Sequence, residues 1–196
     1  MVNRKLIVCE GLDCTGKTTT IKKVLEPQNE QFIYSKGIGS DTFIGKVSRR
    51  FPSTFLFFME LIYHLATKIK PSLKKGKIIL QDRYNISITS YVPLTNKWYN
   101  QFIIKIFTRF ILKPDAIVYF YLPIEEHIKR LKQKGAKHEL ILANNPSLII
   151  QRKKEYSNWY HRFQGPKIKI NTLKKDITQT AEKLNLFVEF CKRKEE

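Results

Sequence analysis

The stretch Gly11-Leu12-Asp13-Cys14-Thr15-Gly16-Lys17-Thr18 follows the pattern G-x-x-x-x-G-K-[S/T] and decides the fold that we expect for this chain. Residues 4–9 before it, which are apolar from Leu6 to Cys9, predict a strand, and residues 18–25 after it predict a helix. In this order, strand, glycine-rich loop and helix surround a phosphate with backbone N–H groups and the positive end of a helix. The sequence therefore predicts a protein that binds ATP or GTP.

Different residues of this loop have different expected roles. We expect Lys17 to reach the outer phosphates of a nucleoside triphosphate and the hydroxyl of Thr18 to hold Mg²⁺. Cys14 is either a thiol activated by the helix N-terminus or a small residue that fits a tight loop. The predicted ATP-binding residues are Gly11, Leu12, Asp13, Cys14, Thr15, Gly16, Lys17, Thr18 and Thr19.

The length and composition narrow the class of protein. A chain of 196 residues is expected to form a single domain. The formal net charge of +19 would suit a nucleic-acid-binding protein, but it comes mostly from lysines spread along the whole chain, which disfavours that function. No apolar run approaches the roughly 20 residues that span a bilayer, so we expect no membrane partner. The three cysteines lack metal-ligand spacing and are expected to be free thiols in the cytoplasm.

Strand and helix signals alternate along the chain. Such alternation predicts an α/β fold with a five-stranded parallel sheet and helices on both faces. We expect Pro71 to end one of the helices and Gly135 to end another. The predicted strands are residues 4–9, 31–35, 77–80, 116–122 and 167–170. The predicted helices are residues 18–25, 54–70, 100–112, 124–134, 146–159 and 177–191.

A second group of functional residues follows the third predicted strand. The apolar residues 78–80 lead into Gln81, Asp82 and Arg83. Because the carboxyl ends of parallel strands lie at one edge of a sheet, Asp82 should lie beside the glycine-rich loop. A carboxylate at this point commonly helps to hold Mg²⁺, and an arginine can bind a phosphate with two donors. The alternative is an exposed ion pair at the end of a strand.

These motifs together resemble the thymidylate kinase family of P-loop nucleoside-monophosphate kinases. Residues 10–19 are similar to the opening of that family, and Asp82-Arg83-Tyr84 with Ser87 and Tyr91 is similar to its D-R-Y-x-x-S-x-x-A-Y. The segment Lys113-Pro114-Asp115 is also typical, and the resemblance covers nearly the whole chain. It implies the P-loop kinase fold and transfer of the γ-phosphate of ATP to dTMP, which gives dTDP and ADP, with Mg²⁺.

The resemblance also implies roles for individual residues. The loop carboxylate Asp13 would approach the 3′-hydroxyl of the acceptor sugar, and Arg83 would bind the acceptor phosphate. Phe57 would stack on the base and Tyr91 would lie below the sugar, although each is equally well explained as a packing residue. The implied catalytic residues are Lys17, Asp13, Asp82 and Arg83, and the implied metal-binding residues are Thr18 and Asp82.

A lid is expected over the cleft, because water must be excluded from phosphoryl transfer. Residues 133–146 are the predicted lid, with a hinge at Gly135. Some members of the family carry a catalytic arginine in the glycine-rich loop, where this chain has Cys14, and others supply cationic groups from the lid. The candidate lid residues are Arg130, Lys134, Lys137 and the carboxylate Glu139. A solvated face is the alternative for the lysines.

Two departures from the family concern recognition of the base. The family carries an arginine in the segment after the second strand, where this chain has Ser35-Lys36-Gly37-Ile38-Gly39, and another at the position of Leu61. Lys36 and Arg49 are the candidate replacements. A missing guanidinium changes selectivity, because it removes two directed donors.

Other interpretations remain open at the level of the sequence. One is a related kinase whose acceptor is another nucleotide or a deoxynucleoside, although that class usually has a glutamate where this chain has Gln81-Asp82-Arg83. The other is a nucleotide-binding protein without transfer activity. The resemblance also implies a homodimer, and the largely apolar helices predicted near residues 55–65 and 102–112 suit either a dimer interface or the core.

Overall fold

The computed structural model of the protein describes residues 4–26, 31–40, 42–51, 53–91, 98–173 and 176–193, with only the backbone of Tyr91, Trp98 and Tyr99. Five parallel strands form one sheet in the order β2-β3-β1-β4-β5. The strands are β1 (Lys5–Glu10), β2 (Phe32–Lys36), β3 (Ile78–Asp82), β4 (Ala116–Tyr121) and β5 (Lys167–Asn171). The predicted five-stranded parallel sheet is confirmed.

Ten α-helices surround the sheet in the described part of the chain. They are α1 (Lys17–Leu25), α2 (Phe43–Arg50), α3 (Thr54–His64), α4 (Lys70–Lys74), α5 (Asn85–Tyr91), α6 (Trp98–Phe107), α7 (Ile124–Lys134), α8 (Lys137–Ala143), α9 (Pro146–Arg162) and α10 (Ile177–Arg193). A π-helical segment, Leu65–Ile69, joins α3 to α4. No helix among these is both long and apolar enough to cross a membrane.

The sheet has one apolar core on each face because successive side chains of a strand point to opposite sides. On one face, Ile7 and Cys9 of β1 pack with Leu184 and Val188 of α10. On the other face, residues from β1 and β3 pack against α3; examples are Leu6, Val8, Ile79, Phe58 and Leu61. Helices therefore cover both faces, as predicted, and leave the carboxyl edge of the strands for the loops.

The prediction that Pro71 ends its helix is wrong. The chain stays helical through the π segment and α4 as far as Lys74. The N–H of Lys70 bonds to the carbonyl of Leu65, five residues back, which widens the helix directly before the proline. Pro71 then lies in the first turn of α4, where a missing N–H is tolerated.

Several other boundaries differ from the predicted ones. The sequence pattern did not assign α8, which lies inside the segment predicted as a lid. Seven residues form only about two helical turns, too short a stretch for periodicity to identify. Helix α6 ends at Phe107, five residues before the predicted end. Gly135 ends α7 with a φ of 71°, as predicted.

Candidate active site

The glycine-rich loop joins β1 to α1 at the carboxyl edge of the sheet. Gly11 has a φ of 147°, and a Cβ there would lie 2.2 Å from the carbonyl oxygen of Phe120 on β4. Gly16 has a φ of 80° at the start of α1. Both positions therefore require glycine, one for space and conformation and the other for conformation. Cys14 also has a positive φ, of 60°.

Lys17 lies beneath this loop rather than in solvent. Its Nζ donates to the carbonyl oxygens of Gly11 at 2.6 Å and Leu12 at 2.9 Å. Burial lowers the pKa of this lysine, with a further lowering from the nearby Arg83. The loop carbonyls thus hold the ammonium group in place, and a phosphate oxygen can replace them as its partner.

Thr18 and Asp82 meet where α1 begins and β3 ends. The hydroxyl of Thr18 donates to Oδ2 of Asp82, and the hydroxyl of Tyr34 donates to the same oxygen at 3.2 Å. Burial raises the pKa of the Tyr34 hydroxyl, so it stays protonated and donates. Asp82 is buried, and within the described chain its Oδ1 has no hydrogen-bond partner.

This pair suits Mg²⁺. A hydroxyl and a carboxylate supply the oxygen ligands that Mg²⁺ prefers, and Oδ1 of Asp82 leaves one acceptor available. No group of three or more His, Cys, Asp or Glu side chains with metal-binding geometry occurs among the described residues.

Arg83 and Asp13, the two residues predicted to contact the acceptor, lie against each other. Nη2 of Arg83 forms an ion pair with Oδ1 of Asp13, and both side chains are mostly buried. Nη1 of Arg83 also approaches the hydroxyl of Ser87 at 3.5 Å. Arg83 has a φ of 70°, in the left-handed region that non-glycine residues seldom adopt.

A cleft of about 500 Å³ opens over these residues. Its walls come from the glycine-rich loop, the residue after β3 and the end of α7, so the structure brings motifs that are distant in sequence into one site. The lining residues are Asp13, Cys14, Thr15, Gly16, Lys17, Thr18, Thr19, Arg83, Arg130, Gln133 and Lys134.

The predicted lid residues divide into two groups. Arg130 and Lys134 line the cleft, whereas Lys137 is exposed and does not line it. Nζ of Lys134 lies 2.5 Å from Oε1 of the buried Glu139, and this contact raises the pKa of Lys134. Arg130 pairs with Glu126 at 2.9 Å and donates to the carbonyl of Thr172 at 3.0 Å. Both Arg130 and Lys134 are therefore paired with groups of the protein itself.

The predicted base-binding residues are less clearly placed. Phe57 is partly buried against the core on the α3 side of the sheet, and the side chain of Tyr91 lies outside the described residues. Leu61 is fully buried in the same core, so the position of the family arginine is a packing position here. Arg49 donates to the carbonyl oxygens of Gly39 at 2.6 Å and Ser40 at 2.9 Å, and it does not line the cleft. Lys36 is exposed at the end of β2 and does not line the cleft.

Two buried carboxylates that the sequence analysis missed shape the loops around the site. Glu10 accepts from the backbone N–H of Tyr84 at 2.6 Å and from the hydroxyl of Ser87 at 2.6 Å, and burial raises its pKa. Glu60 accepts from the backbone N–H of Ser40 at 2.8 Å and from the hydroxyl of Ser48 at 2.8 Å. In the sequence, each of them could have been found as a single acidic residue within or directly after an apolar run.

Cys14 lies in the glycine-rich loop and is partly exposed. Burial raises its pKa and outweighs the lowering by nearby Lys134. This direction favours the interpretation of Cys14 as a small residue that fits a tight loop. Cys9 and Cys191 are buried, and among the described residues neither takes part in a disulfide bond.

Comparison with known proteins decides the family. Residues 9–184 match the family model described as thymidylate kinase. The chain belongs to the thymidylate kinase family. A probable thymidylate kinase of Thermococcus onnurineus is 30% identical over 157 residues, which cover 68% of this chain and 74% of that protein. One of Methanocaldococcus jannaschii is 32% identical over 144 residues, covering 68% and 73%.

Solved structures of the family share the fold. The thymidylate kinase of Candida albicans aligns with a TM-score of 0.71 at 22% identity and covers 95% of this chain and 92% of that one. The enzyme of Ehrlichia chaffeensis aligns with a TM-score of 0.68 at 16% identity, covering 95% and 98%. The resemblance and the P-loop kinase fold predicted from the sequence are confirmed.

Proposed function

We propose that this chain acts as a single kinase domain that transfers the γ-phosphate of ATP to dTMP and gives dTDP and ADP. The observation that carries the proposal is the convergence of three features in or directly beside one cleft. These are the glycine-rich loop with Lys17, the Thr18–Asp82 pair, and the Arg83–Asp13 pair. Together they supply phosphate donors, a metal site and acceptor contacts.

On the donor side, the loop amides and Lys17 would bind the phosphates of ATP. Lys17 would exchange its bonds to the carbonyls of Gly11 and Leu12 for bonds to phosphate oxygens. Phosphoryl transfer depends mainly on position and on neutralising the negative charge that spreads in the transition state. A buried ammonium group serves this purpose well, because the surrounding dielectric is low.

Mg²⁺ would be held by the hydroxyl of Thr18 and by Asp82. When bound, Mg²⁺ neutralises phosphate charge and aligns the reacting oxygens. Asp82 and Thr18 already touch, so the protein orients both ligands before the ion arrives. Tyr34 fixes the carboxylate further through its bond to Oδ2.

On the acceptor side, the Arg83–Asp13 pair would separate when dTMP binds. The guanidinium group of Arg83 would bind the acceptor phosphate with two donors, and the carboxylate of Asp13 would then accept from the 3′-hydroxyl. Each residue exchanges one charged partner for a group of the substrate. The pair therefore keeps both groups oriented and neutralised in the absence of substrate.

The lid proposed for residues 133–146 contributes cations to the cleft. Lys134 and Arg130 already line it; to reach a phosphate, Lys134 would exchange its ion pair with Glu139, and Arg130 its contacts with Glu126 and the carbonyl of Thr172. Closure around Gly135 would exclude water, which otherwise competes with dTMP for the phosphoryl group.

We also propose a homodimer, which is supported by an exposed apolar face. Phe55, Met59 and Tyr63 lie four residues apart on α3 and are 47%, 38% and 43% exposed, and Phe102 of α6 is 58% exposed. An apolar surface of this kind on a soluble enzyme usually marks an interface. The three cysteines, all within the described residues, form no disulfide bond, which supports the cytoplasm as the proposed compartment.

The activity is tested by measuring ADP production from Mg-ATP with each nucleoside monophosphate and each deoxynucleoside offered separately. We expect the highest kcat/KM with dTMP. Preference for another nucleotide or for a deoxynucleoside would keep the kinase and replace the acceptor. ATP binding without transfer to any acceptor would support the binding-only alternative.

A further inference from the structure

In each residue of the Arg83–Asp13 ion pair, the backbone carbonyl is hydrogen-bonded by a buried side chain. The carbonyl oxygen of Asp13 lies 2.7 Å from Nε2 of His127 on α7. The carbonyl oxygen of Arg83 accepts from Nε2 of Gln81 on β3 at 2.9 Å. Both His127 and Gln81 are completely buried and neither lines the cleft. Each end of the pair thus depends on a side chain that substrate does not reach.

The histidine contact has a defined direction. A carbonyl oxygen only accepts, so Nε2 of His127 must carry the hydrogen and donate it to Asp13. Within the described part of the chain, Nδ1 of the same ring has no hydrogen-bond partner. A buried polar ring is costly unless it is hydrogen-bonded, so this histidine is explained by its bond to the glycine-rich loop. This bond fixes the orientation of the peptide group between Asp13 and Cys14. Cys14 has a φ of 60°.

The glutamine contact fixes the other partner. Arg83 has a φ of 70°, a conformation that persists in a non-glycine residue only when its surroundings hold it. Its N–H donates to the carbonyl of Cys9 at 3.1 Å, and its carbonyl accepts from Gln81. The backbone of Arg83 is therefore held on both sides.

Gly37 provides the space for this arrangement. A Cβ at position 37 would lie 2.2 Å from Nε2 of Gln81 and 2.3 Å from the carbonyl oxygen of Arg83. The N–H of Gly37 also donates to the carbonyl of Asp82 at 2.9 Å. The segment after β2 thus packs directly onto the bond between Gln81 and Arg83.

We propose that Gln81 and His127 are positioning residues that orient the side chains of Arg83 and Asp13 before the acceptor binds. Neither touches substrate; each acts through the backbone carbonyl of one member of the pair. The proposal rests on the acceptor-binding roles proposed above for Arg83 and Asp13. Groups that are oriented before binding lose less conformational freedom when substrate arrives. Removing either positioning hydrogen bond should therefore appear mainly as a higher KM for dTMP.

The first experiment tests Gln81 with two variants of nearly equal size. Gln81→Met removes the donor, and Gln81→Glu places an acceptor against the carbonyl of Arg83. Leu80→Met is the matched control, because Leu80 is buried on the same strand but packs on the other face of the sheet. We expect Gln81→Met to raise the KM for dTMP roughly twofold to tenfold, the effect of one ordinary hydrogen bond. Gln81→Glu should raise it further, while the KM for ATP should change much less.

The second experiment tests His127 without relying on turnover. The amide nitrogen of a glutamine reaches about as far from the backbone as Nε2, whereas that of an asparagine reaches only about as far as Nδ1. His127→Gln and His127→Asn therefore differ in whether they can donate to Asp13. The readout is the rate at which a thiol reagent labels Cys14, the partly exposed cysteine beside Asp13, followed by peptide mass mapping. We expect His127→Asn to label several times faster than the parent protein and His127→Gln to label at nearly the parent rate.

Two results would overturn the inference. One is a KM for dTMP that Gln81→Met changes no more than Leu80→Met does. The other is an equal labelling rate for His127→Gln and His127→Asn. Failure of the proposed acceptor roles has a different signature, because Arg83→Ala would then leave the KM for dTMP unchanged while the labelling comparison still held. Thermal unfolding of each variant, measured in parallel, identifies any that do not fold.

Discussion

Thr18 donates its hydroxyl hydrogen to Asp82, and the two residues are separated by 64 positions in the sequence. They meet because β1 and β3 are adjacent parallel strands, with Cys9 opposite Asp82, so both strands end at the same edge. The loop after β1 leads to Thr18, and Asp82 is the last residue of β3. The sheet order therefore builds the proposed metal site from two elements.

The first prediction concerns this metal site. Asp82→Asn removes the carboxylate charge but keeps the size, so the Mg²⁺ concentration for half-maximal ADP production should rise roughly 10- to 100-fold. Tyr34→Phe is the matched control, because it removes a bond to the same carboxylate and leaves the charge unchanged. An Mg²⁺ dependence of Asp82→Asn equal to that of the parent enzyme would exclude Asp82 from the metal site.

The second prediction concerns the phosphate-binding lysine. Lys17→Met keeps most of the side-chain volume but removes the ammonium group, so kcat should fall at least 100-fold, on the order of what a lost transition-state contact costs. Gly11 and Leu12 lose only a donor to their carbonyls, so circular dichroism should show the fold retained. Turnover of Lys17→Met near the parent rate would remove the lysine from the mechanism.

The sequence predicted the parts of this site that depend on local pattern and on the rule for parallel strands. The motif from Gly11 to Thr18 specifies the loop, and apolar runs before Asp82 and after Pro114 specify buried strands. From these, the proximity of Asp82 to the loop follows. The paired state of Arg83 and Asp13 does not follow, because it depends on side-chain orientation across two elements.

The unpredicted features depend on contacts between distant residues. Glu60 and His127 lie in helices whose sequence pattern does not show their contacts, and their partners lie 12 or more positions away in the sequence. Pro71 looks like a helix end because the pattern does not show the π turn before it. Leu61 was recognised as a departure from the family, but only packing shows that it belongs to the core.

The third prediction concerns the proposed dimer. Met59→Glu places a charge in the middle of the exposed apolar face of α3, so it should convert a dimer to a monomer in size-exclusion chromatography with light scattering. Phe190→Glu is the control, because Phe190 is also an exposed apolar residue, 52% exposed, but lies on α10. A parent protein that is already monomeric would contradict the proposed dimer.

The fourth prediction concerns the buried carboxylate of α3. Glu60→Leu leaves the N–H groups of Gly39 and Ser40 and the hydroxyl of Ser48 without their acceptor. Buried donors without partners are costly, so the free energy of unfolding should fall by about 2–5 kcal/mol in urea denaturation. Glu189→Leu, at a more exposed site paired with Lys192, should change it by less than about 1 kcal/mol. Equal stabilities of the two variants would show that Glu60 does not organise the segment after β2.

The last prediction concerns the pH dependence of stability that His127 introduces. Burial lowers the pKa of His127 to about 4, with smaller lowering by Lys153 and Lys17 and raising by Asp13, against an ordinary value of 6.5. As the pH falls below 6.5 the unfolded chain takes up a proton on this ring, whereas the folded protein does so only near pH 4. The unfolded state is therefore favoured progressively across this window, and the folded protein should lose about 3 kcal/mol from this group.

The comparison of His127 with a non-titrating replacement isolates this contribution. His127→Gln keeps a donor to Asp13 and cannot take up the proton, so its stability should decline less between pH 6.5 and pH 4 than that of the parent. Urea denaturation at intervals of half a pH unit gives both curves, and their difference cancels the titration of all other groups. Parallel curves would mean that the imidazole titrates alike in the folded and unfolded states. Such a result is incompatible with a histidine that stays neutral and buried beneath the glycine-rich loop.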